Sequence, residues 1–401
     1  MSEKNVVVLG AGYAGLQAAI ELDKLGIPCT LIDKNNYHDL LPELPHRITD
    51  KKLETVIPLK GLIKNKKISF IQDKVKQVNY KKQTVSLNNN QEISFDSLVL
   101  ALGTNVNYFG IQGLKENSFT FHCSDDVDKL LAHINNCFRE AKDLDKNSDE
   151  YKELLTFVIG GGGLTGVEVL GEYLHELPKY AEAHGINVSD IKMYLIEAND
   201  QLLKVLDPPL SNRVTNFYKN KTSIELVLNT AIKEVKPNEV LLADERVIKS
   251  KTILWTGGIR ANAFLETPYI NEQNEEAKYE LGRGFRAVVD EFYRVKGVEK
   301  TYAVGDNAMI IDAETGQPYP QNGQAAYKQG KNVAYYIHAD LQGKPPKLKN
   351  VKLDGLMVSL GPKKGTGTII NPFTIYLPIS KIARKIKKVI ELRYKTLDIR
   401  R

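Results

Sequence analysis

The stretch VVVLGAGYAGLQAAIELDKLGIPCTLID, residues 6–33, decides the fold. Its opening run, NVVVLG, is short, β-branched and apolar throughout, which reads as a buried parallel strand. Gly10-Ala11-Gly12-Tyr13-Ala14-Gly15 follows, then a helical period in LQAAIELDKLG that stops at Gly26, then a second strand, CTLID, ending in Asp33. A strand, a glycine turn, a helix, a strand and an acid 23 residues after the first glycine form the order a dinucleotide-binding turn requires. Gly10 permits the tight turn, Gly12 lets the backbone approach a pyrophosphate, and Gly15 lets helix and strand close together. The helix amino end offers unpaired N–H groups and the positive end of its dipole to the phosphates. Asp33 is placed to accept hydrogen bonds from ribose hydroxyls.

The same grammar returns near the middle of the chain. LLTFVIG is a strand, Gly161-Gly162-Gly163-Leu164-Thr165-Gly166 the turn, and VEVLGEYLHEL the helix. A loop containing Pro178 and Gly185 is expected next, before the strand IKMYLIEA, which ends in Glu197. That acid lies 36 residues after Gly161, beyond the usual spacing of about 20, as a lengthened helix and loop would give. A carboxylate with no arginine directly after it favours NADH over NADPH, because it pairs with a free 2′-hydroxyl and repels a 2′-phosphate. FDSLVLALGTN (95–105) and SKTILWTGGIR (250–260) are a related pair, each a buried strand ending in glycines, Gly103 in one and Gly257-Gly258 in the other. KTYAVGDNA (300–308) is a further apolar strand ending in Gly305-Asp306, and a helix is expected from about Gln324. The expected fold class is α/β, with two Rossmann-like nucleotide-binding units holding two nucleotides face to face.

Composition fits an ordinary globular chain: 401 residues, 42% hydrophobic and 26% charged, with room for two or three domains. No stretch reaches the roughly 18 apolar residues of a spanning helix, and the start runs directly into a strand without the features of a signal or transit peptide. The three cysteines, Cys29, Cys123 and Cys137, form no C-x-x-C and none lies later in the chain, which argues against a disulfide framework or a zinc site. The net charge of +6 is concentrated in the tail 380–401, where nine Lys/Arg face only Glu391 and Asp398. Ser380 is a plausible helix cap. Ile379, Ile382, Ala383, Ile386, Val389 and Ile390 fall on one face of the helix, and Lys381, Arg384, Lys385, Lys387 and Lys388 on the other. Such a helix lies flat on an anionic membrane surface, with TIINPFTIYLPI just before it adding apolar area. The rival expectation is a helix packed on the protein's own sheet with a solvated charged face. Nucleic acid is a poorer partner, since no stacking aromatics interleave with the charges.

At this point the chain resembles the two-dinucleotide-binding-domain flavoproteins, and more narrowly the type II NADH dehydrogenases, the non-proton-pumping NADH:quinone oxidoreductases, over nearly its whole length. The resemblance implies FAD at Gly10, Ala11, Gly12, Tyr13, Ala14, Gly15, Asp33, Lys34, Gly103, Gly305, Asp306, Gln324 and Ala325. It implies NADH at Gly161, Gly163, Leu164, Thr165, Gly166, Glu168, Glu197, Gly257 and Gly258. QNGQAAYKQG (321–330) is similar to the family's A-Q-x-A-x-Q segment at the quinone site. Gly323 stands for the leading Ala, Gln324 and Ala326 match, and Lys328 replaces the final Gln. The implied catalytic set is Glu168 at the nicotinamide, Gln324 at the quinone, and Lys328 in place of the second glutamine. GLMVSLGPKKGTGTI (355–369) resembles the family's carboxy-terminal sheet. Disulfide reductases of the superfamily carry a relay cysteine near DKNNYHDLLPELPH; this chain has none there, and His38 is expected to be a loop or core histidine. The implied layout is an FAD domain at 1–112 and 281–340, an NAD domain at 113–280, and a membrane-docking region at 341–401. A peripheral protein on the cytoplasmic face of the cell membrane follows, with a membrane quinone as acceptor and room for a homodimer. The alternative is a soluble FAD-dependent NAD(P)H reductase of a protein or small-molecule acceptor. Sulfide:quinone reduction on a similar scaffold would need paired cysteines that are missing.

Overall fold

The computed structural model describes residues 4–204, 206–370 and 373–399. Two five-stranded parallel sheets carry the two glycine turns. The first runs in the order Thr301–Ala303, Ser97–Leu100, Val6–Leu9, Cys29–Asp33, Ile68–Gln72. The second runs Phe119–Thr120, Thr252–Trp255, Thr156–Gly160, Lys192–Ile196, Ile224–Val227. In each, the strand leading into the glycine turn is central. Val6–Leu9 is fully buried, so it carries no polar alternation; both faces of a parallel sheet are covered.

The first sheet is completed by Thr301–Ala303 only after the second sheet has been built, so the second unit is inserted into the first. The crossing is a two-stranded antiparallel link, Thr104–Val106 with Ile259–Ala261, formed by the segments that follow the paired strands at 97–100 and 252–255. Ala261, Leu265, Tyr269 and Tyr279 pack into the core around the first sheet. The chain therefore rejoins the first unit near 259, earlier than the 281 expected from sequence.

Helix Leu164–Ala183 runs straight through Pro178, where a loop was expected. A proline inside a helix costs about 3 kcal/mol, because it lacks the N–H that would bond the carbonyl four residues back. Leu177, Tyr180 and Ala181 around it are buried, and apolar burial at about 1.5–3 kcal/mol per large side chain outweighs that loss. Tertiary packing thus explains the long spacing from Gly161 to Glu197.

Helix Tyr13–Lys24 is buried along most of its length and crosses helix Gly323–Leu341 closely. Gly330 sits at the crossing; a Cβ there would overlap the carbonyl oxygen of Ala14. After a linking segment, a three-stranded antiparallel sheet, Gly355–Ser359, Gly365–Ile370 and Thr374–Ser380, leads into helix Lys381–Arg393. Ser380 caps that helix, its hydroxyl accepting from the Ala383 N–H at 3.1 Å. Among the described residues no helix is long and apolar enough to cross a membrane. Asn371, Pro372, Arg400 and Arg401 of the expected docking region lie outside the described residues.

The helix crossing gives a direct test. Gly330→Val should force the two helices apart, destabilising the protein by roughly 1–3 kcal/mol through overpacking. The expected outcome is a lower Tm with weakened FAD retention, whereas Gly61→Val, at an exposed position with open space around it and no positive φ, should cost less.

Candidate nucleotide and acceptor site

The two turns are built alike. Gly10 holds φ +100° and Gly161 φ +108°. A Cβ on Gly10 would overlap the Ala101 carbonyl, and one on Gly161 would overlap Gly257. Gly15 and Gly166 leave no room either, each lying against the carbonyl of the first glycine of its own turn. Gly12 and Gly163 instead face open space. They precede helices Tyr13–Lys24 and Leu164–Ala183, neither of which has a side-chain cap. First-turn N–H groups are left for an anion.

The two acids are also held alike. Asp33 accepts from the Ala11 N–H at 2.6 Å and the Asn35 N–H at 2.8 Å. Glu197 accepts from the Gly162 N–H at 2.7 Å and the Asn199 N–H at 2.8 Å. Burial pushes the Asp33 carboxyl above the usual range, with the two N–H donors pulling against it. Lys34 next to it is exposed. Gly103 donates its N–H to Asn307 Oδ1 at 3.1 Å, and Gly258 accepts from the Asn107 N–H at 3.0 Å.

Gly305-Asp306 is pinned from the helix Gly323–Leu341: Gln329 Oε1 accepts the Gly305 N–H at 2.9 Å. Gln321 donates to the Asp306 carbonyl at 2.7 Å, and Asn322 caps the helix by accepting from Ala325 N–H at 2.8 Å. The Asp306 carboxyl has no hydrogen-bond partner among the described residues. Burial pushes it up to about 6, with the Arg286 charge opposing. An unpartnered, half-buried carboxylate near the uncapped start of helix Tyr13–Lys24, whose Ala14 lies against Gly305, fits a ligand that carries both hydroxyls and a pyrophosphate.

On the acceptor side, Gln324 Oε1 accepts the Asp354 N–H at 2.8 Å. Lys328, one turn on, reaches both Asp354 carboxylate oxygens at 2.9 Å and the Lys352 carbonyl. Its three donors are spent on the 352–354 segment, so the geometry removes Lys328 from the acceptor-facing set expected for it.

Glu168 is buried; its Oε1 accepts the Ser359 N–H at 2.7 Å and the ammonium of Lys387. Sequence periodicity put Lys387 on a solvated face, but the structure turns it inward. Ala383, Lys387, Glu391 and Tyr394 form the inward stripe. Glu391 meets His46 Nε2 at 3.2 Å, and His46 Nδ1 meets Glu172 at 3.0 Å. Tyr394 stacks on Tyr13 with ring centroids 4.6 Å apart, and its hydroxyl lies 3.1 Å from His38 Nε2. His38 Nδ1 is 2.9 Å from the Ala11 carbonyl, and burial depresses its pKa to about 4, a core histidine as expected. The outward face exposes Ile382 (69%), Val389 (64%) and Ile390 (50%). The rival expectation for this helix is revised: it packs inward through Ala383, Lys387, Glu391 and Tyr394, and Ile382, Val389 and Ile390 face out. His46, Glu172, Gln329, Lys387 and Tyr394 were missed as site residues; the spacing 387, 391, 394, with the helix's one acid in the middle, was the available signal.

Residues 4–330 match the pyridine nucleotide-disulphide oxidoreductase family. The chain belongs to that family. It is 28% identical over 400 residues to the type II NADH:quinone oxidoreductase of Staphylococcus saprophyticus, covering 97% of this chain and 94% of that one. It is 29% identical over 405 residues to its Staphylococcus aureus counterpart, with the same coverage. Among solved structures, an NDH2 from Plasmodium falciparum in complex with NADH superposes with TM-score 0.84 at 16% identity, covering 99% of this chain and 96% of that one. The sulfide:quinone oxidoreductase of Aquifex aeolicus gives 0.79 at 19% identity, covering 99% and 91%. These structural likenesses show the shared fold. Despite the family's name, Cys29, Cys123 and Cys137 are all free, and burial pushes the Cys29 thiol up to about 12 and Cys137 to about 11.

Asp306 yields a pH-signed test. Its folded pKa is raised, so the folded state holds the proton more tightly, and stability falls as pH rises from about 4 to 6. In flavin-free protein, Asp306→Asn should therefore raise Tm above pH 6, with the gain vanishing below about pH 4. The same variant should retain less FAD after gel filtration, read from the flavin absorbance.

Proposed function

We propose that this chain is an FAD-dependent NADH:quinone oxidoreductase that works, without proton pumping, at a membrane surface. One observation carries the reading: a single helical segment, 381–398, touches both nucleotide turns with its polar stripe and leaves its apolar stripe exposed. An enzyme serving a water-soluble acceptor has no use for that outward face. The names of the Staphylococcus relatives support the same activity.

We assign FAD to the first unit and NADH to the second. FAD, when bound, would supply the two-electron chemistry that links NADH to the quinone. The chain's own groups bind and orient. The open ends at Gly12 and Gly163 hold pyrophosphates, Asp33 and Glu197 hold adenosine riboses, and Asp306 accepts from the flavin side chain's hydroxyls. Glu168 Oε2 has no partner among the described residues and is free to orient the nicotinamide amide. Lys387, hydrogen-bonded to the other oxygen of Glu168, holds a proton close to both nucleotide sites. Gln324 keeps its amide nitrogen for the quinone. Lys381, Lys385 and Lys388 are exposed alongside Ile382, Val389, Ile390, Phe373 and Ile375, a mixture suited to the interface of an anionic bilayer. The reading extends to peripheral attachment on the cytoplasmic face, with room for a homodimer.

Two measurements test it. Anaerobic NADH should bleach the yellow holoprotein, and re-oxidation by a short-chain quinone should restore the colour; a colourless protein that refuses FAD on reconstitution would overturn the assignment. Replacing Ile382, Val389 and Ile390 together by Glu should abolish sedimentation with anionic vesicles. Turnover with ferricyanide, a water-soluble acceptor, should stay within about twofold.

A further inference from the structure

His46 is buried, and it bridges carboxylates from two different helices. Its Nδ1 is 3.0 Å from Glu172, and its Nε2 is 3.2 Å from Glu391. Glu391 lies 3.6 Å from the Lys387 ammonium, which in turn is paired with Glu168. On the far side, Glu172 accepts from the half-buried Thr49 hydroxyl at 2.5 Å. The groups thus form a line of polar side chains from the half-buried Thr49 to Lys387, hydrogen-bonded as far as Glu391 and closed by the 3.6 Å ion pair to Lys387. Nothing in binding either nucleotide calls for this line.

Reducing a quinone to a hydroquinone takes two electrons and two protons. NADH contributes both electrons and, within its hydride, one proton equivalent; the second proton comes from solvent. We propose that Glu172, His46 and Glu391 form the path that resupplies Lys387 with that solvent proton, with His46 carrying it across. The inference rests on the quinone-reductase reading above. When Lys387 gives up an N–H proton to the quinone oxygen, its amine takes one through Glu391 from His46 Nε2. The neutral imidazole left behind keeps its Nδ1–H, so the ring reorients to turn its bare nitrogen to the Glu172 side, takes up a proton there drawn from water at Thr49, and then turns back. Each group ends the cycle as it began, and one proton has left the solvent. His46 is a positioning residue here, acting through Lys387 and never touching the acceptor.

The surroundings suit a histidine that holds charge. Burial alone would depress His46, but its hydrogen bonds to Glu172 and Glu391 overcome this and hold its pKa above the ordinary value. Lys387 opposes them. The other charged groups near it are Glu43 and Arg47 on its own segment, Glu176 on helix Leu164–Ala183, Arg384 and Lys395 on the carboxy-terminal segment, and Asp128, which engages Arg47 at 2.5 Å. Glu391 is likewise shifted: burial raises it, but His46, Lys387 and Arg384 bring it below the usual carboxylate range.

The test uses FAD-loaded full-length protein and the variants His46→Gln and Glu391→Gln. In the native protein, quinone turnover should fall as pH rises through the raised His46 titration. In both variants it should drop at least tenfold and lose that pH dependence. Anaerobic bleaching of the flavin by NADH, which needs no solvent proton through this path, should stay within twofold. Histidine-selective NMR should show His46 titrating above the free value in the native chain and moving down in Glu391→Gln. Wild-type turnover and pH profile in His46→Gln would overturn the inference, and so would an equal loss of bleaching and turnover in both variants, which marks a purely structural role. Native protein that is bleached by NADH yet never re-oxidised by quinone would instead sink the functional reading on which the inference stands.

Discussion

The ion pair between Lys387 and Glu168 sets the orientation of the carboxy-terminal helix, and much of the molecule's logic follows from it. Burying two charges costs several kcal/mol per ion even after relaxation, and is tolerable only with further partners. Here the Ser359 N–H and Glu391 provide them. Rolling the helix half a turn would bury Ile382, Val389 and Ile390 instead, a gain of roughly 5–9 kcal/mol at the usual burial values. That roll would strand Glu168 without Lys387 and His46 without Glu391, at about 3–5 kcal/mol for each, and would take Tyr394 off its stack on Tyr13. These losses offset the gain, and the apolar stripe is left outside. An exposed row of isoleucine and valine is thus the consequence of satisfying buried charge, and it is the face a bilayer can cover.

The second organising constraint is the repeated turn. Both acids tie back to the N–H of the residue after the first glycine, and both brace the residue two positions on. Both turns lean on a strand that arrives later in the chain, at 97–100 and at 252–255, and those strands continue into the link that joins the units. Each unit therefore has its ligand-facing end defined by backbone alone. Gly10 and Gly161 admit no side chain, and Gly12 and Gly163 leave the space above them open. Such a site binds what carries a pyrophosphate and leaves the choice of chemistry to the groups that converge between the units.

Those local features were legible in the sequence because each is encoded within about 35 contiguous residues: glycine spacing, helix period and terminal acid. The parallel sheets, the Ser380 cap and the core placement of His38 could be read in the same way. What could not be read depends on distance along the chain. His46 meets Glu172 and Glu391 across 126 and 345 positions. Lys387 looks like one more surface lysine until the partner helix is in place. Pro178 reads as a stop signal, yet Leu177, Tyr180 and Ala181 carry the helix through it. The return to the first unit near 259 is set by Tyr269 and Tyr279 packing on Tyr80, contacts with no local sequence mark.

Lys328 shows how one side chain can tie its helix to a neighbouring segment. Its pair with Asp354 is largely open to water, the aspartate side chain being 71% exposed, so its contribution to stability is about 0–1 kcal/mol. Its effect is geometric. Gln324 and Lys328, a turn apart, both seize the 352–354 segment just before the three-stranded sheet. That sheet is held from the second unit by Arg213, which donates to the Leu377 carbonyl at 2.6 Å, and it packs tightly on the last helix, where a Cβ on Gly365 would lie 3.1 Å from the Arg384 backbone. The helix that closes the flavin side, the sheet and the helix bearing Lys387 are thereby joined as one mechanical unit. The contacts that seat the 352–354 segment and the sheet thereby help seat the helix that brings Lys387 onto Glu168.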